Sequence, residues 1–212
     1  MDTISESDML MDSPIRHHLS PLSRFLLFLF LLMLSWQFVH KNQASASIVV
    51  PMTLKDLTEQ ADLIVLGISS ETTSVWDSDR KNIVTYITLV PERCFKVTEC
   101  PAPIRIRQLG GTVEGVTMTV AGAPKFYENE RLILFLENTP SSFYRVIGLS
   151  QGKFSVIYSE NEGKNYVIRD LRHLKFLKRR DKEFRIQEFP VLEAEVSLED
   201  FLEKIRSHLE AQ

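Results

Sequence analysis

A short apolar run in the second half of the chain constrains the fold more than any other feature. Residues 132–136 read Leu-Ile-Leu-Phe-Leu, between Arg131 and Glu137. Successive side chains of a strand point to opposite faces, so a half-buried strand alternates apolar and polar residues. This run does not alternate, and both of its faces therefore need a covering layer. It predicts a central strand of a small β-domain, approached through the turn-rich segment 122–130.

The neighbouring segments predict a mainly β fold. Thr53 reads as the cap of a short helix with Asp56 at its third position, and Ser197 reads as the cap of a C-terminal amphipathic helix. Because strands follow one another without helices between them, a doubly wound α/β fold is excluded. We expect a small, OB-like, closed or nearly closed antiparallel barrel over 47–168, followed by a basic segment and the helix over 169–212. The predicted strands are 63–69, 83–90, 104–109, 116–120, 131–137, 143–147, 153–158 and 165–168.

The local structure of the remaining segments is predicted less firmly by the sequence. Gly67 interrupts the first strand and predicts a bulge or a sharp bend. The polar stretch 70–82 reads as a loop. The basic stretch 169–182 shows partial helical spacing, and it is either a loosely ordered, solvated helix, which we favour, or a surface for an acidic partner or a membrane.

The segment 1–46 predicts export. Residues 25–39 carry no charge and follow a basic stretch, and Ala44, Ser45 and Ala46 supply the small residues of a cleavage site. We expect a signal peptide that is cut after Ala46 and leaves Ser47 as the new N-terminus. The alternative is an uncleaved membrane anchor over 25–39, with a disordered lead before it. Either outcome places the remainder outside the cytoplasm, secreted or in the periplasm or cell envelope.

Composition narrows the classes of partner and cofactor. The net charge of −3 argues against a dedicated nucleic-acid binder, which is usually basic. The spacing of the histidines and cysteines indicates no metal site, and the sequence indicates no cofactor. Cys94 and Cys100 are the only cysteines, and in an oxidising compartment they either form a disulfide or remain free thiols.

One short motif matches a catalytic pattern. Residues 148–152 match the G-x-S-x-G pattern of a hydrolase, in which Ser150 would be the nucleophile. That motif needs a strand before it and a helix after it. Since residues 153–158 read as another strand, we favour a hairpin turn.

Aromatic residues in loop-like stretches are the candidate binding residues. Trp76, Phe126 and Tyr127 are large side chains in segments without a clear strand pattern. Such residues form either a recognition surface or the packing at one end of a barrel.

Several of these segments together resemble known families. Residues 61–67, Trp76, Thr85-Tyr86, 130–136 after Gly122, and 148–153 resemble an uncharacterised family of exported bacterial proteins. More distantly, Val50-Pro51, residues 62–64 and residues 132–136 resemble the netrin-like domain of the tissue inhibitors of metalloproteinases. That resemblance implies a five-stranded OB-type barrel and a protease as partner. The inhibitors place an N-terminal cysteine on the catalytic zinc, and this feature does not carry over, because Ser47 is the predicted N-terminus.

These observations support three hypotheses about function, which we give in order of preference. The leading hypothesis is an exported, non-enzymatic binding module whose ligand is a protein, such as a secreted protease. The alternatives are a serine hydrolase that uses Ser150 and an envelope structural protein held in the membrane by 25–39. The sequence does not indicate an oligomeric state.

Overall fold

The computed structural model describes residues 47–180, 183–187 and 196–212, together with residues 21, 22, 25, 26 and 30. The chain forms two compact units, Met1–Ala44 and Ser45–Gln212. The described residues of the first unit are helical. Within the described residues, no helix is both long enough and apolar enough to cross a bilayer. The predicted cleavage after Ala46 and most of the predicted anchor lie outside the described residues.

The second unit is built mainly from strands, as predicted. Its elements in chain order are β1 (Ser47–Val49), α1 (Leu54–Gln60), β2 (Leu63–Trp76), β3 (Ile83–Phe95), β4 (Ile104–Leu109), β5 (Gly111–Val113), β6 (Val116–Met118), β7 (Arg131–Asn138), β8 (Tyr144–Val146), a 3-10 helix (Leu149–Gly152), β9 (Lys153–Ser159), β10 (Lys164–Ile168), β11 (Leu174–Arg180), β12 (Glu183–Gln187), β13 (Val196–Ser197) and α2 (Leu198–Glu210).

Five of these strands close into a barrel. Their order is β2, β3, β4, β8 and β7, and β7 pairs again with β2. Neighbours are antiparallel except β4 and β8, which run parallel and pair through Ile106 and Tyr144. The predicted small OB-like barrel with flanking helices is confirmed.

Strand β7 is the centre of the domain, as its apolar run predicts. Residues 132–136 are completely buried. Leu132, Leu134 and Leu136 belong to the inner core, which fills the barrel. Ile133 and Phe135 belong to the outer core, between the barrel and the helices. One edge of β7 pairs with β2, and the other edge is divided between β8 and β9.

The remaining strands are added around this barrel. Strands β9, β10 and β13 extend the sheet outward from β7. Strands β1, β11 and β12 form a separate sheet in which β1 and β11 are parallel. Strands β5 and β6 form a hairpin of their own.

Both helices begin as predicted. The Thr53 hydroxyl accepts from the Asp56 backbone N–H at 3.1 Å, and the Asp56 carboxylate accepts from the Thr53 N–H at 2.8 Å, which forms a capping box. Ser197 caps α2 through the Asp200 N–H. Helix α2 buries Phe201 and other apolar residues in the outer core beside Leu57 of α1, so the C-terminal segment and the barrel share one core.

Two connecting segments differ in part from prediction, and a third agrees with it. Segment 70–82 is mostly strand, because β2 continues through Trp76 opposite β3. The partial helical spacing of 169–182 is misleading, since 174–180 form β11 between β1 and β12. The bulge expected at Gly67 is present: the register of β2 against β3 shifts there, and a Cβ atom on Gly67 would lie 2.5 Å from the Val90 carbonyl oxygen.

Candidate functional site

The inner face of the barrel changes from apolar to polar at one end. Thr85 pairs with Ser74 on one side and with Gln108 on the other, which gives a cross-strand row of polar residues. The next row holds Thr72, with Ile87 and Ile106 of the inner core. Residues two apart on a strand share a face, so the polar side chains continue the inner face of the barrel. We call Thr72, Ser74, Thr85 and Gln108 the mouth layer.

Two atoms of the mouth layer have no hydrogen-bond partner among the residues that the structure describes. The Thr85 hydroxyl donates to the Gly110 carbonyl at 2.6 Å and lies 2.8 Å from the Ser74 hydroxyl. The Gln108 side-chain N–H donates to the Pro124 carbonyl at 3.2 Å. Thr72 Oγ1 and Gln108 Oε1 are buried and unpartnered. Most buried polar atoms in proteins are hydrogen-bonded, and an unpartnered one costs about 1–3 kcal/mol.

A cleft of about 370 Å³ lies over the mouth layer. Most of its other lining residues belong to the β5–β6 hairpin and to 119–120 and 123–127. The hairpin lies very close to the mouth layer: a Cβ atom on Gly111 would collide with the hydroxyls of Ser74 and Thr85. A glycine also suits this position because its φ is +138°. We call this cavity the mouth cleft.

The structure brings two of the three predicted aromatic residues to the mouth cleft. Tyr127 is 63% exposed at its rim, and the Ser69 hydroxyl donates to its carbonyl oxygen. Phe126 lines the cleft and packs against the inner core, with Lys153 Nζ 5.6 Å from its ring centroid. Trp76 ends β2 opposite Ile83 and does not line the cleft. Tyr127 is therefore available to a ligand, whereas Phe126 serves both as packing and as lining.

A second irregularity in β2 explains why the sequence did not indicate the mouth layer. The β2–β3 register shifts between Ser69 and Glu71, and the bulge changes which alternate residues of β2 face inward. Beyond it, Thr72 and Ser74 lie on the inner face. The β-branched residues after Ser69 were the available signal for a longer strand, but they do not determine which alternate side chains face the inside of the barrel.

The possible catalytic motif adopts a different local structure from a nucleophile elbow. Residues 149–152 form a 3-10 helix, which Gly148 enters with φ +64°, and the strand β9 follows it. The predicted hairpin turn is also wrong, since β8 and β9 both lie along β7 and do not pair with each other. Ser150 Oγ is buried, and none of the described residues forms a hydrogen bond with it or contacts it as a base.

The cysteines lie at the other end of the β2–β3 hairpin from the mouth layer. Cys94 and Cys100 form a disulfide with a Cα–Cα distance of 5.5 Å, and Cys94 packs against the inner core. Within residues 47–180 and the other described segments, no three His, Cys, Asp or Glu side chains are grouped closely enough to hold a metal ion.

Comparison with known proteins assigns no family. No family model, no curated protein and no solved structure matches this chain. The resemblances to exported bacterial proteins and to netrin-like inhibitors therefore stay predictions.

Proposed function

We propose that this protein is an exported, non-enzymatic binding module that holds an extended segment of a partner protein in the mouth cleft. Export is supported by the uncharged run 25–39 and the small residues before Ser47. The observation that carries the binding role is the pair of buried, unpartnered atoms, Thr72 Oγ1 and Gln108 Oε1, in one cleft.

The chemistry of these two atoms suits a peptide backbone. Each peptide unit offers one N–H donor and one C=O acceptor. The Gln108 oxygen can only accept, and the Thr72 hydroxyl can donate. A peptide unit in the mouth cleft therefore satisfies both atoms, and the exposed ring of Tyr127 supplies apolar contact at the rim.

The deletion of one hydroxyl tests this role. Thr72→Val keeps the shape of the side chain and removes the unpartnered oxygen. Because the hydroxyl is unsatisfied without a ligand, we expect unchanged or higher stability and about tenfold weaker partner binding. Thr73→Val is the matched control, since Thr73 is exposed and outside the mouth cleft.

The partner is first captured from an extracytoplasmic extract with the purified protein and identified by mass spectrometry. Secreted proteases are the first candidates, because the resemblance to metalloproteinase inhibitors suggests them, and inhibition kinetics test them directly. Peptide and oligosaccharide arrays are then probed with both variants. A captured partner whose affinity is equal for Thr72→Val and Thr73→Val would refute the mouth cleft as the binding site, and selective binding to oligosaccharides would refute the peptide ligand.

A further inference from the structure

A second cleft lies on the other side of the loop that walls the mouth cleft. It encloses about 290 Å³. Ala123, Pro124, Lys125 and Tyr127 line both cavities, so the two clefts are neighbours. We call it the Ser150 cleft. Its other lining residues are Glu130, Ser150, Lys153, Ser155, Ile168, Asp170, Arg172 and His173.

The Ser150 hydroxyl is an unused hydrogen-bonding group of this cleft. Ser150 is only 9% exposed, and its Oγ atom has no partner within the described part of the chain. The backbone around it is held in place, because the Ser150 N–H donates to the Gly122 carbonyl at 3.0 Å. A ligand with an oxygen acceptor would satisfy this hydroxyl.

Lys153 provides a second donor in the same cleft. Its side chain is 10% exposed, and its ammonium group donates to Glu130 at 2.6 Å and to the Ser155 hydroxyl at 3.2 Å. A lysine ammonium has three N–H donors, so one remains for a ligand. The Glu130 carboxylate accepts from Ser155 at 2.5 Å and from the Tyr127 N–H at 3.3 Å, in addition to its bond with Lys153.

The charges around the cleft favour a single negative charge. Three Lys or Arg side chains line it against two carboxylates, so the cations outnumber the carboxylates by one. Arg172 binds Asp170 at 2.6 Å. The hydrogen bond from Arg172 lowers the pKa of Asp170 below its ordinary value, although partial burial acts in the opposite direction. Both members of this pair are therefore charged at neutral pH, and Lys125, which is exposed like Arg172, carries the remaining positive charge.

We propose that the Ser150 cleft binds a carboxylate, namely the C-terminal carboxylate of the polypeptide that the mouth cleft holds. The inference rests on the proposed function and extends it, since a chain that crosses the shared loop at Tyr127 passes from one cleft to the other. The carboxylate accepts hydrogen bonds from the Ser150 hydroxyl and from the free N–H of Lys153. Charge-assisted hydrogen bonds of this kind are stronger than neutral ones.

Matched small probes test the carboxylate directly. N-acetyl-leucine carries a terminal carboxylate. N-acetyl-leucinamide has the same residue without the negative charge, and acetate has the carboxylate without the leucine residue. Binding is followed by amide chemical shifts in NMR spectra of the labelled protein. We expect N-acetyl-leucine to shift the amides of 150–155 and to bind at least about tenfold more tightly than the amide. Equal affinity of these two compounds would contradict a carboxylate site.

Variants separate binding from folding. Ser150→Ala removes an unpartnered hydroxyl and should leave the fold intact, while N-acetyl-leucine binding weakens about tenfold. Ser159→Ala, at the end of β9 and outside the cleft, should bind like the unchanged protein. Equal affinities of the two variants would remove Ser150 from the site.

Two outcomes distinguish this inference from the proposed function. Acetate that binds as tightly as N-acetyl-leucine would assign the cleft to small organic acids and overturn the terminal carboxylate. A captured partner that binds equally well after its C-terminus is extended or amidated, yet still depends on Thr72, would retain the mouth cleft as the binding site and refute the Ser150 cleft as its terminal subsite.

Discussion

Loss of Lys153 should destabilise the protein far more than loss of a similar cation on the surface. The Lys153–Glu130 pair has a nitrogen–oxygen distance of 2.6 Å, and the two side chains are only 10% and 15% exposed. Removing one partner of a buried pair costs about 3–5 kcal/mol, because the other charge is left uncompensated. Since both side chains keep some solvent contact, we expect a cost of about 3 kcal/mol for Lys153→Met, near the lower end of that range.

Urea denaturation followed by circular dichroism measures this cost. A loss of about 3 kcal/mol also lowers the melting temperature by roughly 6–12 °C in a domain of this size. Arg145→Met is the matched control. Arg145 pairs with Glu137 at 2.9 Å, but the two side chains are 64% and 36% exposed. An exposed pair contributes at most about 1 kcal/mol.

A double variant tests the cause of the loss. Glu130→Gln combined with Lys153→Met removes both charges together, and neutral replacements of buried pairs often cost little. We therefore expect the double variant to be more stable than Lys153→Met alone. The reasoning is refuted if Lys153→Met costs no more than Arg145→Met, or if removal of the Glu130 charge brings no recovery.

Three further predictions concern a cap, a glycine and the disulfide. Thr53→Ala should cost about 1 kcal/mol of unfolding free energy. The Thr53 hydroxyl also lowers the pKa of Asp56 below its ordinary value of 3.8. Asp56 therefore stabilises the fold above that value, and this contribution is lost as pH falls through the lowered pKa. NMR titration of Thr53→Ala should show that the pKa of Asp56 rises, and the stability of this variant should depend less on pH. Gly111→Ala should cost more than about 2 kcal/mol and more than Gly115→Ala, since both glycines have positive φ but only Gly111 meets a neighbour; equal melting temperatures would contradict this. Cys94→Ser should cost about 2 kcal/mol by denaturation, and an intact mass that does not change on reduction of the natural protein would show that the bond is absent.

The parts of the fold that could be predicted are those in which local chemistry and burial agree. The unbroken apolar run 132–136 required two covered faces, and it lies between the inner and outer cores. Thr53 and Asp56 stand at the spacing of a capping box and form one. In both cases the spacing along the chain is sufficient to predict the local structure.

Long-range pairing explains the segments that were predicted wrongly. Residues 174–180 show weak helical spacing, but β1 and β12 supply partners on both edges, and Leu174 and Phe176 are buried on alternate positions of a strand. Strand β2 extends past Ser69 because β3 continues opposite it. Neither partner can be read from the local pattern.

The candidate site was only partly accessible to sequence reasoning. Tyr127 and Phe126 were indicated by their size and position in a loop, and both line the mouth cleft. Thr72 and Gln108 have common polar side chains, and their importance comes from being buried without a partner. The sequence singled out Ser150 because of the G-x-S-x-G motif, which requires a different fold. In the structure its hydroxyl matters as an unused hydrogen-bond donor in a cleft.

The pairing of distant segments has a consequence for how this chain folds. Strand β2 pairs with β7 through Leu63 and Leu136, β1 pairs with β11 through Ser47 and Leu174, and α1 and α2 share the outer core. Contacts between residues so far apart in sequence require large loops to close first, which slows folding. Among the described residues β1 pairs only with β11, so it has no strand partner until residues 174–176 have been synthesised. The β2–β3 hairpin can form early, because its two strands are adjacent in the sequence, but the barrel closes only after β7 and β8 have been added.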